Sequence, residues 1–396
     1  MFEMGEETMN LPIEEKMKFE QGDNGVSFGY ISSLMSFAMS VVLMVVQYNR
    51  YKAAGVNATD EYGNLDTVEF INVAKDDALS FPAMTHRTYP STVNAHMKST
   101  IRPFVLKALE VNFTFLSVFE KKLGLPAGAL LNRHKLASPS GSEARCIRNP
   151  PKQASEAVEK GSTAIGAHTD FGSLSFLHNR LGGLQVLPPG YETWQYVRPI
   201  PGHAICNVGD ALTLFSGGIL RSNLHRVIPP PGLQASHPRW SLVFFIRPGS
   251  DVKLHALTED SAIIRDAVNA VSEAERKKYD PDVTAGEWFA RRIKNQRIKN
   301  RTVRTNYFPC NVTCPCQLVF RVLRLGVQAV GWSINPKPFK VHALVKPLHI
   351  SSRRHLNSLG SELTKHEMLS FQEKSFMLFY TMYIIIFAMK LNLPTL

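Results

Sequence analysis

Closely spaced turn residues divide the middle of the chain into short strand-like runs, and this pattern limits the folds that the chain can form. Between residues 163 and 248, apolar and β-branched runs are interrupted by Gly182-Gly183 and by Pro188-Pro189-Gly190. Glycine and proline supply the backbone angles that tight turns require. Trp194-Gln195-Tyr196-Val197 and His203-Ala204-Ile205-Cys206-Asn207-Val208 are two further strand-like runs. Many short strands at this spacing are typical of a β-sandwich or a β-barrel.

A long amphipathic helix is predicted ahead of these strands, from Val93 to Leu123. Gly124 and Pro126 provide the stop signals that commonly follow a helix. Its apolar residues recur at helical spacing, and we expect the aromatic ones to pack against the β core rather than to hold a cofactor. The apolar residues are Phe104, Leu106, Leu109, Phe113, Phe115, Leu116 and Phe119.

His168, Asp170 and His225 have the residue types of a ferrous iron site. Two imidazoles and one carboxylate can bind iron(II) on one face and leave the other face open. His168 and Asp170 are two positions apart, so on a β-strand both would point to the same side. His225 lies 55 positions beyond Asp170 and must return by tertiary folding. Zinc also accepts two histidines and one acid, but the helical His-Glu-x-x-His pattern of zinc proteases is absent from the sequence.

Arg239 and Ser241 form a second pair with this spacing, on a predicted strand that continues to Ile246. Arginine makes a two-pronged, charge-assisted contact with a carboxylate, and serine can add a hydrogen bond. An unpaired arginine on such an apolar strand would be costly if it were buried. We therefore predict that the pair holds a carboxylate of a co-substrate. The alternative is a surface arginine on an edge strand.

With these residues, the chain resembles the isopenicillin N synthase-like branch of the iron(II)/2-oxoglutarate-dependent dioxygenases, in particular its fungal members. The similarity extends from about Leu123 to Arg301. The segments that carry it are Gly166–Leu174, Gly182–Val186, Asn207–Leu212, Asn223–Val227, Phe245–Pro248 and Thr284–Arg292.

The resemblance implies a mainly-β fold with flanking helices, a double-stranded β-helix (jelly roll), with the metal site in the mouth of the barrel. It implies that His168, Asp170 and His225 bind Fe(2+) and that O2 is the oxidant. The 2-oxoglutarate co-substrate would chelate the iron, with its far carboxylate held by Arg239 and Ser241. In many relatives a tyrosine on an earlier strand also touches the co-substrate. At the matching position this chain has an asparagine, Asn149.

The function implied by the resemblance is an oxygenase that hydroxylates, desaturates or cyclises a small metabolite in secondary metabolism. Asp170 argues against halogenation, because halogenating relatives lack this carboxylate. Two alternatives remain open. One is an iron oxidase that uses no 2-oxoglutarate, and the other is a non-catalytic, truncated pseudoenzyme or a membrane-tethered product.

The net charge of +12 does not indicate a nucleic-acid partner. Residues 303–396 carry 11 Lys or Arg against 3 Asp or Glu, so they supply most of the excess. No basic stripe with interleaved aromatics, typical of nucleic-acid binders, is present in the sequence. We expect a small-molecule substrate and neither a nucleic-acid nor a membrane partner. Oligomeric state does not follow from the sequence.

A reducing, cytoplasmic setting is expected from the N-terminus and the cysteines. Residues 1–20 are acidic and lack the apolar core of a secretory signal. Cys146 and Cys206 each lie alone in a strand-like segment, which predicts buried thiols.

Residues 1–302 are predicted to form the oxygenase domain, but two parts of this range depart from the family pattern. The sequence from Met1 resembles an internal family segment, so we predict that the domain is incomplete at its N-terminus. Residues 31–51 include an uncharged run from Ile31 to Tyr48 that is borderline in length for a membrane span. A buried helix is another possibility. We interpret residues 31–51 as a translated non-coding insert.

Residues 303–396 are predicted to be a non-family tail, either disordered or translated non-coding sequence. The resemblance stops after about Thr302, and regular periodicity and acidic residues are lost together. Cys310, Cys314 and Cys316 are spaced C-x3-C-x-C without the second half of a zinc site.

Overall fold

The computed structural model describes residues 1–20, 51–60, 63–83, 88–151, 163–188, 191–296, 341–343 and 387–389. Of the predicted insert at 31–51, only Tyr51 is described, and it is a buried residue of the first strand. Apart from two three-residue strands, the predicted tail at 303–396, with its three cysteines, lies outside the described residues. The division into an interrupted domain and a tail therefore stays a prediction.

The described residues contain two main sheets and one isolated strand pair. The strands are β1 Tyr51–Lys52, β2 Glu69–Ala74, β3 Glu143–Asn149, β4 Ile165–His168, β5 Leu174–Asn179, β6 Leu184–Leu187, β7 Gln195–Tyr196, β8 Ile205–Val208, β9 Leu224–Val227, β10 Arg239–Ile246, β11 Val341–Ala343 and β12 Phe387–Met389. The larger sheet has the order β1-β2-β3-β10-β5-β8, and the smaller has the order β4-β9-β6-β7. Neighbours in both sheets are antiparallel.

Helices flank the larger sheet, as the sequence predicted. They are α1 Phe2–Met9, α2 Ile13–Met17, α3 Lys75–Ser80, α4 Ser91–His96, α5 Arg102–Lys122, α6 Asp210–Phe215, α7 Ala262–Asn269, α8 Glu273–Arg276 and α9 Ala285–Gln296. A π-helical turn, Met97–Ile101, joins α4 to α5, and short 3-10 helices occur at Leu131–His134, Gly232–Ser236 and Lys277–Tyr279. None of the described helices is both long and apolar enough to span a membrane.

The predicted helix from Val93 to Leu123 is present as α4, the π-helical turn and α5. Gly124 follows with a φ of +64°, a conformation that glycine adopts easily and that commonly ends a helix. The aromatic residues of the stripe pack in or against the core, as predicted, whereas Leu106 is 42% exposed. The buried series instead runs through Val105, Leu109 and Leu116, and Leu106 lies one helical step to the side of that series.

The core consists of two clusters on opposite faces of the larger sheet. The larger cluster joins the helices to one face and includes Leu116, Phe176 and Phe244. The smaller cluster lies between the two sheets and includes Phe70 and Val186. Cys146 and Cys206 are buried free thiols, as predicted. The space that the smaller cluster leaves open between the sheets contains the candidate site.

Candidate metal centre

His168, Asp170 and His225 converge between the two sheets. His168 ends β4, and its cross-strand partner in β9 is His225. The two imidazole centroids are 4.2 Å apart. Asp170 Oδ1 lies 4.0 Å from His168 Nε2 and 3.8 Å from His225 Nε2. One ligand atom from each residue lies within 4.8 Å of the others, so the group could hold a metal ion.

Asp170 lies just beyond the end of a strand, not on a strand as the sequence predicted. Strand β4 ends at His168, and the backbone then bends so that the Asp170 carbonyl accepts a hydrogen bond from the Asp210 amide at 2.8 Å. Gly209 allows this close approach, because a Cβ there would lie 2.3 Å from the Gly172 carbonyl oxygen. The strand therefore positions His168, and the segment that follows the strand positions Asp170.

Backbone carbonyls orient both imidazoles. His168 Nδ1 lies 2.8 Å from the Gly166 carbonyl oxygen, and His225 Nδ1 lies 3.1 Å from the Asn223 carbonyl oxygen. A carbonyl can only accept, so each Nδ1 donates a proton and each Nε2 has its lone pair free. Both lone pairs are then available to a metal next to Asp170.

Two neighbouring strands hold the Asp170 carboxylate. Oδ2 accepts hydrogen bonds from Ser175 Oγ at 2.7 Å and from Asn207 Nδ2 at 2.8 Å. Burial alone would raise the pKa of Asp170, but the two imidazoles and these hydrogen bonds outweigh it and lower the pKa. The carboxylate is therefore charged at neutral pH, with Oδ1 directed toward the imidazoles.

Burial also keeps His168 neutral. Loss of solvent and then the charge of His225 lower the pKa of His168 to about 4, with a smaller contribution from Arg145. A neutral imidazole is the form that binds a metal. The residues thus fit a divalent cation: the acid is charged and the His168 lone pair is available at neutral pH.

The triad lines a cavity of about 170 Å³ that opens to solvent. Its walls are mainly apolar, and its polar lining includes Arg145, Asn207, Arg239 and Ser241. A concave apolar site with a few convergent polar groups is typical of small-molecule binding.

Arg239 and Ser241 lie in this cavity at the start of β10. Arg239 donates through Nε to the Gly182 carbonyl at 2.7 Å and through Nη1 to Ser241 Oγ at 2.6 Å. Its Nη2 is buried and has no hydrogen-bond partner in the described part of the chain. Burial lowers the pKa of Arg239 to about 10, so it stays charged at neutral pH. A buried cation with a free donor fits the carboxylate of a bound acid, and the predicted alternative of a surface arginine on an edge strand was wrong.

Sequence reasoning missed four residues that the structure brings to this site. Ser175 and Asn207 hold Asp170 through hydrogen bonds. The only sequence features that could have identified them were the alternation of side chains in β5 and the Asn207-Val208-Gly209-Asp210 motif. Arg145 lines the cavity. Arg292, on α9, donates to Asp210 at 2.9 Å behind the segment that contains Asp170.

Known proteins with similar sequences support this assignment. Residues 132–248 match the family model described as the 2OG-Fe(II) oxygenase superfamily. A 2-oxoglutarate-dependent dioxygenase of Aspergillus fumigatus is 31% identical over 210 residues, covering 48% of this chain and 52% of the relative. Another, from Amanita muscaria, is 36% identical over 121 residues, covering 30% of this chain and 56% of the relative. The chain thus spans about half the length of these curated relatives.

A solved structure shows the same fold. A full-length protein of Neurospora crassa, crystallised in complex with alpha-KG, aligns with a TM-score of 0.54 at 22% identity, covering 74% of this chain and 80% of that one. The jelly-roll fold of such oxygenases is therefore confirmed, whereas the narrower isopenicillin N synthase-like assignment stays a prediction. In sequence, the part of the chain from residue 132 to residue 248 is thus similar to the 2OG-Fe(II) oxygenase superfamily, and the fold agrees with this similarity.

Proposed function

We propose that this protein is an iron(II)- and 2-oxoglutarate-dependent oxygenase that acts on a small molecule in the cavity between its two sheets. The observation that carries the proposal is one cavity that contains both the His168, Asp170 and His225 cluster and the buried, unpartnered Nη2 of Arg239. Either feature alone fits several functions, but together they match a metal and an acidic co-substrate.

The three cluster residues would hold the metal on one side and leave the cavity side open. Hydrogen bonds to Gly166 and Asn223 keep the two Nε2 atoms facing inward, so little reorganisation is needed on binding. When bound, iron(II) with 2-oxoglutarate and O2 supplies the oxidising chemistry that functionalises a substrate C–H bond.

Arg239 and Ser241 would bind the far carboxylate of 2-oxoglutarate. The free Nη2 donates to one carboxylate oxygen, and the Ser241 hydroxyl, already an acceptor from Nη1, is free to donate its own proton. Asn149 lies across from Arg239 in the sheet, and its Oδ1 accepts from Thr67 at 2.7 Å. We infer that this site anchors the co-substrate without the tyrosine contact of many relatives.

The apolar walls would exclude water from the reacting groups and strengthen the electrostatic contacts within the cavity. A small-molecule substrate fits this cavity better than a macromolecular substrate does. Hydroxylation, desaturation or cyclisation of a secondary metabolite is the finer form of the proposal, and it is supported by the fungal dioxygenases among the relatives.

The test compares single alanine variants of the three cluster residues with wild-type protein. We expect His168→Ala, Asp170→Ala and His225→Ala each to abolish 2-oxoglutarate-dependent succinate release and to weaken Co(II) binding by at least about 100-fold, because two ligands seldom retain a metal. His203→Ala, which changes a partly exposed histidine outside the cavity, is the control and should behave as wild type.

Three results would contradict the proposal. Undiminished turnover in any triad variant would remove that residue from the site. Oxygen consumption with iron but without 2-oxoglutarate would favour the iron oxidase alternative. Failure of the wild-type protein to bind Co(II) would favour a non-catalytic protein.

A further inference from the structure

Arg145 places a second guanidinium group in the cavity, apart from Arg239. It lies on β3 opposite Val243 of β10, whereas Ile147, two residues along β3, lies opposite Ser241. Residues two apart on a strand face the same side, about 7 Å apart. Arg145 and Ser241 therefore line the same cavity at different heights.

The Arg145 side chain is held rigidly. Its guanidinium lies 4.1 Å from the centroid of the Phe70 ring and 5.0 Å from that of Phe245. Nε donates to Asn72 Oδ1 at 2.7 Å, and Nη2 donates to Glu143 Oε1 at 2.9 Å. The position of the charge is thus set before any ligand arrives.

One end of this guanidinium has no partner among the described residues. No acceptor among the described residues receives a hydrogen bond from Nη1 of Arg145, and the side chain is 17% exposed. Arg145 and His168 line the same cavity. The free donor therefore belongs to the space beside the metal centre.

The carboxylate that pairs with Arg145 is shared with a second guanidinium. Glu143 pairs with both Arg145 and Arg247, so in the part of the chain that is described, one carboxylate serves two guanidinium groups. The other carboxylates of the cavity are already engaged: Asp66 pairs with Lys52, and Asp170 faces the two imidazoles. A partly desolvated guanidinium that shares its one carboxylate with a second guanidinium would be further stabilised by the anion of a ligand.

We propose that the natural substrate is a carboxylic acid with an otherwise apolar body, and that the Nη1 group of Arg145 binds its carboxylate. This proposal rests on the oxygenase function proposed for the same cavity, and it names the substrate class. Arg239 would hold the co-substrate carboxylate, and Arg145 the substrate carboxylate. The aromatic rings that flank Arg145 would pack against the apolar body of the substrate.

The experiment measures binding of a matched acid and amide, benzoate and benzamide, by calorimetry. The full-length protein is first saturated with Co(II) and 2-oxoglutarate, so that the triad and Arg239 are occupied and no turnover occurs. We expect wild-type protein to bind benzoate at least about tenfold more tightly than benzamide. Arg145→Met should abolish this preference by weakening benzoate binding alone. Arg148→Met, the same change on the opposite face of β3, should keep the preference.

The outcomes separate this proposal from the one on which it rests. If wild-type protein binds neither Co(II) nor 2-oxoglutarate, the oxygenase function itself fails. If it binds both but shows no preference for benzoate, or if Arg145→Met retains the preference, the carboxylate proposal alone is overturned. Should Arg145→Met not fold, Arg145→Lys decides the question: a single ammonium in place of the planar group should reduce the preference, and an unchanged preference would overturn the proposal.

Discussion

At the scale of single residues, the site depends on groups that orient the three candidate ligands. The Asp170 carboxylate receives two hydrogen bonds on Oδ2, from Ser175 and Asn207, and this leaves Oδ1 for a metal. Partners of this kind typically contribute about 10–100-fold to metal affinity. Asn207 should therefore matter for the metal although it is not itself a ligand.

Asn207→Ala is expected to weaken Co(II) binding by about 10–100-fold, because the Asp170 carboxylate loses one of its two orienting donors. Ser241→Ala, in the same cavity, is the matched comparison and should leave Co(II) affinity unchanged while weakening 2-oxoglutarate binding. Both affinities can be measured by competition with a chelator and by calorimetry. Equal loss of Co(II) affinity in the two variants would contradict the assigned roles.

At the scale of secondary structure, α5 supports the larger sheet from outside. The Phe115 ring lies 5.5 Å from that of Phe176 in β5, and the Phe104 ring lies 6.4 Å from that of Phe244 in β10. Leu116 is fully buried in this contact, whereas Leu106 is exposed. The helix therefore stabilises the strands that carry the site without contributing a residue to it.

Leu116→Ala should lower the free energy of unfolding by about 2–5 kcal/mol, because it removes a fully buried side chain and leaves a cavity. Leu106→Ala, the same change on the same helix, should shift it by no more than about 0.5 kcal/mol. Urea denaturation followed by circular dichroism gives both values. A similar loss for the two variants would show that the exposed side of α5 is also packed.

At the scale of the whole molecule, stability should depend on one buried histidine that joins two regions. His134, in the 3-10 helix after α5, hydrogen-bonds the Leu130 carbonyl through Nδ1 at 2.7 Å and accepts from Ser173 Oγ through Nε2 at 2.6 Å. Burial lowers its pKa to about 4. The unfolded chain, with an ordinary histidine pKa near 6.5, binds the proton more readily than the native state.

The free energy of unfolding should therefore fall as the pH decreases from about 6.5 to about 4. Below about pH 4, the contribution of His134 should no longer change with pH. The difference in pKa corresponds to roughly 3 kcal/mol. Comparing metal-free wild-type protein with His134→Gln by urea denaturation across this range isolates the effect, since other groups titrate in both. Equal pH dependence in the two proteins would be inconsistent with a neutral, buried His134.

Local sequence was sufficient to predict the helix end at Gly124 and the strand that carries Arg239 and Ser241. These features depend on side-chain chemistry and on backbone preferences over a few residues, so they can be inferred without the tertiary structure. The assignment of the three metal ligands stays a prediction. The placement of Asp170 on a strand was wrong, because neighbouring segments decide where β4 ends.

The tertiary structure alone decided which distant groups meet. His225 lies beside His168 because β9 pairs with β4 across a long stretch of intervening chain, and Arg145 enters the cavity because β3 pairs with β10. Pairing between remote strands depends on the burial of whole sheet faces, and many registers suit a short strand equally well when it is considered alone. The sequence therefore determined the chemistry that this protein can offer, and the packing of the two sheets determined where that chemistry is assembled.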